Sequence, residues 1–157
     1  MKTLRASGLC LLCIAIVVIS ATAQEKGNKI FAQKLVDDEI ARHPDVIILA
    51  LHVTPPNSSY NVIIASNIGR IGKKADEDDL RVIRTGKPNL EINKTGDHFE
   101  VELPLQDKAG RIIGAAGVVF NYKPGDDKAA LQKKAEQVRD EMRRQTPTTA
   151  KLFEKVE

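Results

Sequence analysis

The sequence predicts an α+β domain: an antiparallel sheet of about five strands with a long N-terminal helix, a short lid helix and a C-terminal helix. Three observations predict it. Helical periodicity is confined to two stretches near the ends and one short stretch in the middle. Between them lie runs of branched residues or of strict alternation. The turns joining several of these runs are too short for the crossover that parallel strands need.

Residues 29–42 carry Ile30, Phe31, Leu35, Val36 and Ile40 on one stripe, with Lys34, Asp37, Asp38 and Glu39 elsewhere, which predicts an amphipathic helix. Pro44 ends it, because the residue before a proline is pushed out of the helical region. VIILALHV at 46–53 is an almost unbroken apolar run, expected to be a strand covered on both faces. The turn residues Pro55, Pro56, Asn57, Ser58 and Ser59 lead into YNVIIAS at 60–66, so the two strands should form a hairpin.

Residues 67–87 break the pattern. Gly69 and Gly72 loosen the chain, the acidic run at 76–79 suits a helix start, and Leu80, Val82 and Ile83 predict a short helix ending at Gly86. A short strand at 89–93 follows. HFEVELPL at 98–105 then alternates, with Phe99, Val101 and Leu103 on one side and Glu100 and Glu102 on the other. The turn at 107–110 leads to a strand rich in small residues at 111–122, where Gly114 and Gly117 leave room for a backbone, a ligand or a tightly packed helix. The last helix is expected over 126–145, capped by Asp126 or Asp127, with a narrow seam of Leu131, Ala135, Val138 and Met142. Pro147 ends it and leaves a short tail at 147–157, so the domain proper is read as residues 24–146.

The chain begins with a different pattern. Lys2 and Arg5 precede the uncharged run GLCLLCIAIVVIS, and Ala21, Thr22 and Ala23 place small residues where a signal peptidase cuts. Residues 1–23 therefore read as a secretory signal rather than a retained anchor, the uncharged run being shorter than the roughly 20 residues that span a bilayer. Neither Cys10 nor Cys13 follows the small residue that a lipidation signal requires. Cleavage would leave 134 of the 157 residues, one domain's worth, and would remove both cysteines. The expected location is periplasmic or secreted, with no membrane insertion after cleavage.

Charge and motif content narrow the function. Loss of Lys2 and Arg5 lowers the formal net charge from +3 to +1, and the remaining charges alternate in sign, so no nucleic-acid footprint is present. Lys133, Lys134, Arg139, Arg143 and Arg144 are matched by Glu136, Asp140 and Glu141, the pattern of a solvated helix face. His43, His52 and His98 lack metal-ligand spacing, and no serine lies in a nucleophile-elbow context. Gly69 and Gly72 do not make a phosphate loop, and the acidic run at 76–79 does not have calcium-loop spacing. No catalytic residue, metal or cofactor is expected, and the chain does not read as an enzyme. The polar insert lying over an apolar sheet points instead to a small-ligand site. Its candidates are His52, Tyr60, Asn61, Ser66, Asn67, Arg70 and Arg81, with Lys73 beside them. Arg81 could clamp a carboxylate, or pair with Asp78 or Glu77 on its own helix.

The run IIASNIGRIGKKADEDDL at 63–80 resembles the segment that follows the second core strand of extracytoplasmic Cache domains. FEVELPLQDKAGRIIGAAGVVFNY at 99–122 resembles their closing hairpin. With the opening helix, the likeness spans roughly 29–122, and PAS-like folds share much of it. The resemblance implies a sensor module that holds a small ligand, often an organic acid or amino acid, between sheet and insert. A membrane receptor or transporter is the partner it implies. The sequence carries neither a second apolar span nor an output segment, so the expectation is a sensor without its receptor. The alternative is an assembly protein that uses the seam on the last helix to form a homodimer or bind a partner helix.

Overall fold

The computed structural model describes residues 29–156, and the signal read at 1–23 lies outside them. The elements are α1 (Phe31–Arg42), β1 (Val46–Val53), β2 (Val62–Ser66), α2 (Glu77–Thr85), β3 (Asn89–Ile92), β4 (His98–Gln106), β5 (Ile112–Asn121), α3 (Lys128–Gln145) and a final 3₁₀ turn (Thr149–Phe153). The five strands form one antiparallel sheet in the order β2-β1-β5-β4-β3. This is the predicted α+β architecture.

The two faces of the sheet differ. Alternation along β4 turns Phe99, Val101, Leu103 and Leu105 toward α1 and α3, where they join Leu49, Leu51, Val118 and Phe120 in a single core. The seam of α3 is consumed there: Ala135, Val138 and Met142 are fully buried against the chain's own sheet, so it offers no surface for a partner helix. Asp127 accepts hydrogen bonds from the amides of Ala129 and Ala130 and so caps α3.

The start of α1 is closed differently. Its N-cap position is Ile30, which has no capping side chain. The amide of Phe31 donates to the carbonyl of Glu154 at 2.8 Å, the amide of Val156 donates to Lys29, and Ile30 bridges Lys155. Leu152 in the 3₁₀ turn is fully buried in the core. The residues read as a short tail are therefore integral to the packed body.

The opposite face carries α2 alone, packed on β4 and β5. The insert ahead of α2 first runs back along the free edge of β2: Ile63 donates to Lys73, Gly72 donates to Ile63, and Ala75 donates to Asn61. Arg70 makes the turn with φ of 64°, the only non-glycine residue in the left-handed region among the described residues. The chain then crosses over the sheet as α2. Gly86, at φ of 67°, ends that helix with a left-handed cap, as predicted from its place in the sequence.

Candidate functional site

A crevice of about 150 Å³ lies between the sheet face and α2. Its floor is the non-core face of the sheet, where Ile48, Val119 and Glu100 lie side by side, Ala50, Gly117 and Glu102 form the next row, and His52 follows along β1. Its walls are Arg70 and Lys73 from the insert, Asp76, Asp78 and Asp79 from the start of α2, and Glu91 from β3.

Local backbone geometry sets the floor. The register of β1 against β2 shifts between Leu51 and His52, a bulge that redirects the side chain following it. On the other side, a Cβ on Gly114 would come within 2.2 Å of the His52 carbonyl, so β5 can approach β1 there only as glycine. Gly117 serves the site itself, because a Cβ there would meet the Glu100 carboxylate at 2.9 Å. Both glycines admit a neighbouring strand or its side chain, and neither is a seat for a helix.

The acidic wall follows from helix capping. Asp76 is the N-cap of α2, and its Oδ1 accepts from the amides of Asp78 and Asp79, while Asp79 Oδ2 accepts from the amide of Asp76 at 3.0 Å. That reciprocal arrangement turns Asp79 inward, where it is only 3% exposed. His52, 8% exposed, places Nδ1 3.2 Å from Asp79 Oδ2. The approach is off the line a hydrogen bond needs, and Nδ1 has no hydrogen-bond partner. Glu102, 8% exposed, comes up from β4, with its Oε2 accepting from the side-chain Nδ2 of Asn89 at 3.1 Å.

Burial governs the protonation of this group. It lowers the His52 pKa and raises that of Asp79, each opposed by the other's charge, so both are pushed toward their neutral forms. Glu102 is pushed up to about 8, first by burial and then by the charges of Asp79 and Glu100. Glu100 rises for the same reasons. Among the described residues no lysine or arginine lies within ion-pair distance of Asp79, Glu100 or Glu102.

Of the seven residues singled out in the sequence, three line the crevice: His52, Ser66 and Arg70. The other four are engaged elsewhere. Tyr60 is 57% exposed with Lys74 Nζ stacked over its ring. Asn61 has a buried Oδ1 without a partner, away from the crevice. Asn67 ties the insert to β1, accepting from the Leu49 amide and donating to the Ile47 carbonyl. Arg81 binds Asp78 at 2.7 Å and donates to Asn89 at 2.8 Å, so the pairing on its own helix prevails. Sequence reasoning missed the carboxylates. The signal was present in the alternation of β4, whose acidic side proves to face α2.

No protein-family model matches the chain, and no curated protein does. Solved structures do. The GAF domain of A. aeolicus nlh2 in an inactive state superposes with a TM-score of 0.51 at 15% identity, over 81% of this chain and 86% of that one. The Agobacterium tumefaciens repressor BlcR gives 0.50 at 12% identity, over 80% of this chain and 68% of that one. At such identities the likeness concerns the fold alone: the chain shares the arrangement of an antiparallel sheet with flanking helices seen in those two structures.

Proposed function

We propose that this chain is an exported, non-enzymatic sensor-type domain that binds a small solute in the crevice under α2. One observation carries the reading. The sheet has a fully packed face and a second face on which a short helix and a strapped-down insert leave a small polar space lined by buried ionisable groups. Likeness in fold to a GAF domain and to a repressor, with the Cache-like runs at 63–80 and 99–122, supports a binding rather than a catalytic role. The small-residue cleavage pattern at 21–23 supports export. A membrane receptor or transporter is then the natural listener.

The crevice limits what can enter. A cavity of about 150 Å³ holds a molecule on the scale of benzene. Six carboxyls against Arg70 and Lys73 make it a poor host for an organic acid, and an amino acid would have to enter by its ammonium end. Thermal-shift and calorimetric titration against amines, amino acids, small carboxylates and divalent cations tests the reading. Saturable one-to-one binding by at least one of these is expected. A folded protein indifferent to all of them would overturn it. Export is tested by fusing residues 1–28 to a reporter enzyme active only outside the cytoplasm, and an inactive fusion would remove that part.

A further inference from the structure

We propose that the part of the crevice between His52 and the start of α2 is a divalent metal site, built by Asp76, Asp79 and Glu102 with His52 as the fourth protein donor. The proposal rests on the binding reading above and names its ligand class.

Geometry comes first. One oxygen from each of Asp76, Asp79 and Glu102 lies within 4.8 Å of the other two, although the residues come from two elements 23 or more positions apart in the chain. Ions bonded to oxygen at about 2.0–2.6 Å set neighbouring donors at spacings of this order. Other contacts already engage the carboxylates. Capping uses Asp76 Oδ1 and Asp79 Oδ2, and Asn89 Nδ2 occupies Glu102 Oε2; Asp79 and Glu102 also lie close enough to share a proton, which a bound ion would displace.

His52 is the independent pointer. It is buried, it lines the crevice, and its Nδ1 lies 3.2 Å from Asp79 Oδ2 without a hydrogen bond, outside the 4.8 Å spacing that the three carboxylates share. A buried imidazole nitrogen without a partner is costly unless something accepts its lone pair or its proton. A metal ion beside Asp79 would do so.

Donor chemistry selects the ion. Three carboxylates and one imidazole suit a first-row divalent ion such as zinc or manganese, whereas calcium and magnesium prefer oxygen throughout. A second group with metal-like spacing, Glu39, His43 and Glu141, already holds a guanidinium from Arg42, and it serves as an internal control.

The test is titration of the chelator-stripped full chain with Zn²⁺, Mn²⁺, Ca²⁺ and Mg²⁺, read by calorimetry and thermal shift. One ion per chain is expected, with Zn²⁺ or Mn²⁺ preferred. Glu102→Gln and Asp79→Asn should each lower the affinity at least tenfold, His52→Gln should weaken Zn²⁺ more than Ca²⁺, and Glu141→Gln should change nothing. Glu102→Gln removes a destabilising buried carboxyl, so it keeps the fold intact while losing the metal response. Zinc binding unchanged in both carboxyl variants, or a folded wild-type chain with no metal response, would overturn the proposal. Should the metals fail while an amine or amino acid binds, the metal site falls and the solute-binding reading stands. Should nothing bind, both fall.

Discussion

Two buried acidic groups on opposite sides of the same sheet are handled in different ways. Between α1 and α3, Glu39 is 1% exposed, yet Arg42 Nη2 lies 2.5 Å from its Oε1, and Arg42 Nη1 also reaches Glu141 at 3.2 Å. His43 Nε2 stands 3.4 Å from Glu39 and 3.1 Å from Glu141. Burial still pushes Glu39 up to about 7, with Arg42 pulling against it. Under α2, carboxyls equally hidden have no arginine or lysine paired with them. Each group keeps one buried atom without a hydrogen bond, Glu39 Oε2 in the first and His52 Nδ1 in the second, but only the first holds a cation supplied by the fold. The second has the charge imbalance of a binding site whose complement comes from outside.

The sharpest contrast lies within one strand, where Leu103 and Glu102 are adjacent and face opposite ways. Leu103→Ala, on the packed face, should cost about 2–5 kcal/mol by leaving a cavity in a core with little freedom to collapse. Glu102→Gln should instead stabilise the metal-free protein, by ~1–3 kcal/mol at neutral pH, since the folded state must otherwise hold a proton that the unfolded chain would release. Urea denaturation in the presence of chelator measures both. A loss of stability in Glu102→Gln would mean that the carboxyl is as well served as Glu39.

Arg42→Ala tests the other side. Removing the guanidinium leaves Glu39 buried beside Glu141, for an expected loss of ~1–2 kcal/mol, held down because Arg42 is itself half-exposed. The difference should extend to pH. Glu39 and Glu102 both have folded pKa values raised above the ordinary 4.5, to about 7 and about 8, so the folded state binds more protons than the unfolded one between those limits. Stability should therefore fall as pH rises from about 4.5 to 8 and level off above. The upper part of that slope should vanish in Glu102→Gln and persist in Arg42→Ala, as followed by thermal melts across that range.

The fold was legible because its signals are local. Pro44 and Gly86 end their helices, Asp127 caps α3, and the period-two alternation at 98–105 assigns faces without any knowledge of the neighbours. The site was legible only in part. Alternation shows that Glu100 and Glu102 point away from Leu103, but it does not reveal whether water or another helix lies on that side. The acidic run at 76–79 did prove to be a helix start, and the same capping geometry that satisfies the amides of α2 swings Asp79 under the helix. His52 stood out as the one polar side chain in an apolar strand, and it is in the crevice. Tyr60, Asn61 and Asn67 were singled out by position along β2 and the insert. Strapping of the insert to that strand's edge, a contact between residues far from any recognisable turn signal, takes them out of the crevice.

The pairing of Ile30 with Lys155 puts residues at the two extremes of the described body side by side. A permuted chain that joins 156 to 29 through a few glycines and opens instead at the exposed turn near Gly125 should fold to the same sheet. Tension applied across residues 29 and 155 would load that single bridge first and leave the crevice undisturbed until the bridge had parted.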